Sequence, residues 1–464
     1  MIRVCVVLRT KVIASLGPAS STPEVIEGLC RAGVSGFRIN FAHGNPNYWD
    51  ELIKVVRECE EKFDKPYTLI GDLRGSSIRI GDLEGEIKLK KGETAKFILS
   101  NSSSGDEIPL PNPAVFENLE PGDIIVMDDG KVRLRVVDVG SDFAVVAALT
   151  DAIIKSRKAL VVKGKEFDLP PLTNKDLSDI KYACSRGFDY IGLSYVKRAS
   201  DVYLLKDYLN EVGCRAKVIA KIETRSAVNN LDEIISACDA VLVARGDLGM
   251  NFGIEEIPRI QRLVVNKARR AGKPVIVATQ LLESMMENPI PTRSEAVDIS
   301  VAVSEGVDAL MLTGETAVGK YPIEAVKWLI KIVKTAEEYV KPEEIHPKGK
   351  TKVMYVKGVI ELAQSLGAKI ILYSLHGHTA RYLAALRPSV PTYVGVPSIN
   401  VARSINILWG LKPLIVETND YDEGLEKAYH MLLEQGEVKI GDLVIMTYGM
   451  KGEEQLIKVR RVME

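Results

Sequence analysis

VIAKIE at residues 218–223 and AVLVARGDLG at residues 240–249 decide how this chain folds. Each opens as a short β-rich apolar run and closes in charge. Side chains alternate along a strand, so Lys221 and Glu223 point the same way. Asp247 is read as ending the second run. A cation and two carboxylates then converge at neighbouring strand ends. That trio suits a divalent metal beside a very anionic substrate. Hard Mg²⁺ prefers carboxylate oxygen, and a phosphoryl group needs positive charge around it.

The same design repeats on either side. Apolar runs at 10–16, 36–39, 67–71, 190–193, 274–278 and 309–312 end in Gly17-Pro18, Asn40, Asp72, Ser194, Thr279 and Thr313. With the opening pair they make eight. Amphipathic helical patterns follow most of them, at 23–32, 48–62, 201–212, 257–271 and 322–339. Eight β–α units predict an α/β fold, a closed (β/α)8 TIM barrel whose site lies at the C-terminal strand ends. The polar residues just named sit there. The competing reading is an open doubly wound sheet.

One connection is too long for a barrel loop. Between Asp72 and Tyr190 the pattern changes to period-2 alternation at 86–90 and 131–137. Turn signals punctuate it at Pro121-Gly122-Asp123, Asp129-Gly130 and Gly140-Ser141-Asp142. This predicts an inserted all-β lid domain in the third β–α connection, at the rim of the site. After Lys341-Pro342 a C-terminal α/β domain is expected, with strands at 369–374, 392–396, 413–416 and 443–448. The expected division is barrel at 1–75 and 169–341, lid at 76–168 and C-terminal domain at 342–464.

Composition excludes several classes. A formal net charge of −1 over 464 residues gives no basic excess for nucleic acid or an anionic membrane. The apolar patch at 4–8 is too short for a signal peptide or a membrane span, and reads as a terminal packing segment. The six cysteines are scattered without a CxxC pair, so they read as reduced, packed residues of a cytoplasmic protein. Few glutamines beside many Glu, Lys and Arg residues point weakly to a thermophilic source.

Other motifs carry chemistry with a bland alternative beside each. Arg38 and Asn40 face one way at the end of their run and reach a common ligand; Arg38 needs a phosphate or a structural carboxylate as partner. Asp72 either ligates a cation or pairs with an arginine, and Arg74 and Arg79 sit at the lid hinge. Residues 314–320 mimic a P-loop, but Tyr321 stands where a Ser or Thr would hold Mg²⁺. His346 and His430 read as surface residues, and no His/Cys spacing forms a zinc site. Ser374, His376, Gly377, His378 and Thr379 open a helix and suit a bound phosphate, or simply cap that helix.

Taken together, the segments TKVIASLGPAS (10–20), FRINFAHG (37–44), DLRGSSIR (72–79), AKIE (220–223), VARGDLG (243–249), GKPVIVATQLLESM (272–285), PTRSE (291–295) and MLTGETA (311–317) resemble the pyruvate kinase family. Asp168–Pro170 with Lys175-Asp176 match as well, and the order and spacing follow the family through the whole barrel. The resemblance implies phosphoryl transfer between phosphoenolpyruvate and ADP, giving pyruvate and ATP. It implies that Glu223 and Asp247 hold Mg²⁺ (or Mn²⁺), and that Lys221 and Arg38 neutralise the phosphoryl group. The amides of Arg245, Gly246 and Asp247 would bind the pyruvate carboxylate, with Thr279 at the face where the enolate is protonated. Pro18, Asn40, His43, Arg79 and, as a looser match, Lys158 would lie near the nucleotide phosphates. A homotetramer is also implied.

Departures from the family pattern bear on regulation. Of its monovalent-cation site Asn40 and Asp72 remain, but Ala42 replaces the usual serine and Leu73 the threonine. Ser77 stands where the family has a glutamate associated with K⁺ dependence. An oxygen ligand and a negative charge are missing, so little or no K⁺ requirement is expected, with Arg74 supplying local positive charge. The loop at 448–452 is short, whereas members regulated by a sugar bisphosphate have a longer one. A phosphorylated effector at Ser374–Thr379 is expected, with fructose bisphosphate disfavoured by the short loop. The rival readings are a metal-dependent pyruvate aldolase or related lyase, and a silent metabolite-binding regulator.

Overall fold

A computed structural model describes residues 8–345, 351–449 and 455–463. Residues 4–7 of the N-terminal patch, Cys5, His346 and the loop residues 450–454 lie outside the described residues. Eight parallel strands close into a barrel: Lys11–Leu16, Gly36–Asn40, Thr68–Asp72, Tyr190–Leu193, Lys217–Ile222, Ala240–Ala244, Val275–Ala278 and Ala309–Leu312. Closure is made by the first strand against the eighth, with Lys11 opposite Ala309. The open-sheet reading is therefore wrong. These strands are buried on both faces, as a filled barrel requires. Ile13, Ile70, Ile219, Leu242, Ile276 and Met311 fill the interior, while Val12, Leu69 and Val218 pack outward against the helices.

Local signals place the outer helices. Pro23–Ala32 begins with proline in its first turn, is capped by the Thr22 hydroxyl and stops at Gly33 with φ +112°. Arg293–Glu305 opens on a Thr292/Glu295 capping box and ends at Gly306 in the left-handed region. At Gly306 an added Cβ would also stand 2.8 Å from Pro342 and 2.9 Å from the Arg269 guanidinium.

The segment between Thr68–Asp72 and the helix Asn174–Ser185 is mostly sheet, built on six strands with two small ribbons beside them. It has its own core around Phe97, Ile125 and Leu134. It is not purely β, since Pro113–Asn118 is a short helix started by its proline. The C-terminal domain has a five-stranded sheet rather than four strands. The addition is Ile457–Arg461, an antiparallel edge strand on Leu443–Tyr448. Its charged residues Lys458 and Arg460 turn inward to Glu426 at 2.5–2.9 Å while Ile457 and Val459 are exposed, a pattern that hid the strand in the sequence.

The C-terminal domain forms the floor of the barrel. Ile407 joins the interior cluster from below. The Tyr190 hydroxyl donates to Ser404 O at 2.7 Å, and Lys11 Nζ donates to Leu411 O at 2.7 Å. Arg387 enters the same floor and pairs with Asp308.

The cysteines need a correction. Cys184 and Cys214 form a disulfide with their Cα atoms 5.4 Å apart, while Cys30, Cys59 and Cys238 are free and buried. The two ends of the bridge lie near the ends of the neighbouring helices Asn174–Ser185 and Ala199–Glu211. The two cysteines stand 30 positions apart in the chain, so no short spacing motif marks the pair. Closing a loop of that length restricts the unfolded chain by about 3–4 kcal/mol in the chain-entropy picture. Reductant, or Cys214→Ser, is expected to lower denaturant stability by that order. Coincident unfolding curves with and without reductant would contradict it.

Candidate active site

Strand ends bring the charged residues to one cavity of about 280 Å³ at the barrel mouth. Arg38, Asn40, Asp72, Lys221, Glu223 and Asp247 all line it. From the lid side come Arg74, Arg79, Lys158 and Asp128. Lys158 Nζ lies 2.6 Å from Asp128 Oδ1, an ion pair within the inserted segment. Asp128 carried no sign of this in the sequence.

Lys221 is the hub. Its side chain is only 13% exposed, and its ammonium lies 3.2 Å from Asp72, 3.0 Å from Glu223 and 2.7 Å from the Ser194 hydroxyl. Burial pushes the ammonium towards neutrality, but Asp72 and Glu223 outweigh burial and hold it charged, well above the ordinary lysine value. Asp72 also takes the Arg38 guanidinium: Nε donates to Oδ2 at 2.9 Å and Nη2 donates to the same oxygen. Burial raises the Asp72 carboxyl, yet Lys221 and Arg38 prevail and keep it below the usual carboxylate range. Its Oδ1 makes no well-angled hydrogen bond, but the Lys221 ammonium at 3.2 Å neutralises it. Of the two roles open to Asp72, pairing with cations is the one observed.

Asp247 does not end a strand. The strand stops at Ala244, and Arg245–Asn251 is a helix with Asp247 in its first turn. A carboxylate is favoured there by the unpaired amides of a helix start. Glu223 lies just past Ile222, the last residue of its strand, and is 1% exposed. Asn251 ties the two segments together, its side-chain amide donating to Glu223 O at 2.9 Å and Asp247 O at 3.1 Å. Two hard oxygen donors on adjacent elements fit Mg²⁺, which readily takes its other ligands from substrate and water. No cluster of three acidic, His or Cys side chains able to hold a metal occurs among the described residues.

Thr279 sits beside this group with φ +71°, and its hydroxyl accepts the Gly246 amide at 2.9 Å. Arg245 does not face the cavity. It is 6% exposed and holds the Thr279 and Gln280 carbonyls and Asp298. Its guanidinium therefore fixes the turn that carries Thr279. Pro18 and His43 lie off the cavity wall. Burial first, then the nearby Arg79, Arg38 and Arg74, lower the His43 pKa and favour neutral imidazole.

Sequence reasoning gave no role to Ser194 and Tyr195, which follow the fourth strand. The Ser194 hydroxyl accepts from Lys221 and donates to Leu73 O at 2.8 Å. The Tyr195 amide donates to Glu223 Oε2 at 2.7 Å. The one signal was position, since Ser194 closes one of the eight runs.

Away from the mouth, the Ser374 hydroxyl accepts the Gly377 amide at 3.1 Å. That bond closes the turn before the next helix and does not cap it, since Gly377 is the N-cap and no side chain caps the helix. Helix His378–Ala385 follows, and the Thr379 hydroxyl approaches Gly449 so closely that a Cβ there would lie 2.1 Å from it.

Comparison with known proteins agrees with this architecture. Residues 7–326 match the pyruvate kinase barrel domain and residues 354–460 match the pyruvate kinase alpha/beta domain. The pyruvate kinase of Pyrobaculum aerophilum is 40% identical over 456 residues, covering 97% of this chain and 96% of that one. The Aeropyrum pernix pyruvate kinase is 37% identical, covering 97% and 98%. The crystal structure of the Pyrobaculum aerophilum enzyme superposes with a TM-score of 0.87 over 97% of this chain and 99% of that one. A pyruvate kinase structure from Cryptosporidium parvum, 30% identical, gives 0.90 over 98% and 96%. The lyase alternative finds no support among these relatives. A closed barrel with a mostly-sheet insert, an α/β tail and relatives matched along nearly its whole length make this chain a member of the pyruvate kinase family.

Proposed function

We propose that this chain transfers a phosphoryl group from phosphoenolpyruvate to ADP in the presence of Mg²⁺, yielding pyruvate and ATP. One observation carries the reading: Lys221 and Arg38 meet Glu223 and Asp247 around a single cavity under the lid. Phosphoryl transfer asks a protein for positioning and for charge against a migrating anion, and those residues supply both. Lys221 and Arg38 neutralise the phosphoryl oxygens. The amides of Arg245, Gly246 and Asp247 orient the carboxylate of the three-carbon partner, the Gly246 amide exchanging the Thr279 hydroxyl for it. Thr279 stands at the enolate face. Asn40, His43, Arg79, Lys158 and Pro18 are assigned to the nucleotide phosphates. Mg²⁺ or Mn²⁺ held by Glu223 and Asp247 would polarise the oxygens shared between the reacting groups. The lid spans residues 76–168 in this reading, and the chain works as a cytoplasmic homotetramer, which light scattering would check. Among the described residues no helix is long and apolar enough to cross a membrane.

The reading extends to monovalent cations. Asn40 Oδ1 already accepts the Ala42 amide at 3.0 Å, and Asp72 is held by Arg38 and Lys221. With Ala42 and Leu73 adding no side-chain oxygen, K⁺ finds few free ligands, and Arg74 brings positive charge to the same cavity. A coupled assay of phosphoenolpyruvate plus ADP tests both parts. Mg²⁺-dependent pyruvate formation is expected, at the same rate when K⁺ is replaced by a bulky organic cation. No turnover refutes the function, and collapse without K⁺ refutes the cation reading alone. A further arm adds phosphorylated metabolites, where a response abolished by alanine at Ser374 and Thr379 supports an effector at Ser374, His376, Gly377, His378 and Thr379. An unchanged response removes it.

A further inference from the structure

Tyr195 is unusual in three ways at once. Its backbone is left-handed, with φ +56°, a region that costs an L-residue energy and persists only where surroundings enforce it. Its amide donates to Glu223 Oε2 at 2.7 Å. Its hydroxyl faces Asp247 Oδ1 at 3.5 Å, the outer limit of a hydrogen bond. Bonds at reacting centres are commonly long before ligands arrive. One residue thus touches both carboxylates, which come from different barrel elements.

In this left-handed conformation the amide and the side chain of Tyr195 reach Glu223 and Asp247 respectively. Gly75 at the lid hinge packs against this turn. A Cβ there would lie 3.0 Å from the Ser194 Cβ and 3.3 Å from the Tyr195 ring. The ring therefore packs between hinge and barrel, with Ser77 and Arg79 of the hinge side as well as Asp247 beside its hydroxyl.

We infer that Tyr195 is the positioning residue of the carboxylate pair: its amide fixes Glu223, its hydroxyl fixes Asp247, and together they set the gap a divalent cation enters. The inference rests on the reading of Glu223 and Asp247 as the Mg²⁺ carboxylates. Partners that orient metal ligands from behind govern affinity more than fold, and their loss typically costs about 10–100-fold in metal affinity or activity. Tyr195→Phe removes the hydroxyl alone and keeps the ring, the turn and the amide.

The test is Mn²⁺ binding to the full-length enzyme without substrates, followed by electron paramagnetic resonance, with melting temperature measured in parallel. Tyr195→Phe is expected to raise the Mn²⁺ dissociation constant about tenfold with an unchanged melting temperature. Asp247→Asn serves as the reference and is expected to lose at least as much. If Tyr195→Phe binds like the parent while Asp247→Asn does not, the role of Tyr195 is overturned and the carboxylate reading stands. If neither variant loses affinity, the carboxylate pair is not the metal site and both ideas fall. A lowered melting temperature that accounts for the weaker binding would make Tyr195 a packing residue and also overturn the inference.

Discussion

Lys221→Met is expected to lower kcat by about 10²–10³-fold, the loss that follows removal of one preorganised transition-state charge donor. The ammonium is charged, buried and fixed by three oxygens before any substrate arrives, so it spends no reorganisation when phosphoryl charge develops. KM for phosphoenolpyruvate should change less than kcat, because the stabilisation grows with charge in the transition state. Methionine matches the length of the lysine stem but leaves Asp72 and Glu223 without the cation between them. Arg38 still serves Asp72. Steady-state kinetics beside a melting curve separates lost catalysis from lost fold. Near-normal turnover in a folded variant removes Lys221 from its role.

Arg387→Met is expected to destabilise the protein by about 3–5 kcal/mol, the cost of leaving a buried carboxylate without its charge partner. The side chains of Arg387 and Asp308 are 4% and 3% exposed. The guanidinium gives two bonds to Asp308, at 3.1 and 2.7 Å, and Nη2 gives another to Gly306 O at 2.6 Å. It also lies 5.3 Å from the Trp409 ring centroid. Asp308 keeps amide donors from Val275 and Trp409, so the loss falls short of that for a bare charge. Adding Asp308→Asn to the variant should recover much of the stability, since a neutral amide is far cheaper to bury than a lone carboxylate. Denaturant titration of the two variants decides it. A single variant within about 1 kcal/mol of the parent would show that the pair is not what holds this joint.

How much of this was legible in the chain depends on the length scale of the signal. The barrel strands were readable because burial on both faces forces short apolar runs, and the polar residue closing each run marks the mouth. Arg38, Asp72, Lys221 and Glu223 therefore stood out singly. Strand alternation also set Lys221 beside Glu223, but the pairing of Asp72 with Lys221 did not show, because those two are 149 positions apart and meet only when the barrel closes. Asp247 was misplaced because the apolar residues before it continue a strand pattern, whereas the backbone turns helical at Arg245. Tyr195 escaped notice because its role lies in a backbone angle and an amide, which side-chain identity does not reveal. The Cys184–Cys214 bridge escaped because it depends on two helices lying side by side. Ile407 reads as an ordinary apolar residue until the barrel floor gives it a place.

That floor has a consequence for biogenesis. A ribosome emits every stave of the barrel before it reaches Arg387, Ile407 and Leu411. Until those arrive, the Asp308 carboxylate lacks its guanidinium and the Lys11 ammonium lacks the Leu411 carbonyl. A chain truncated after the last stave is therefore expected to leave a buried carboxylate and an open barrel floor, and so to meet chaperones and proteases rather than stand as a free enzyme.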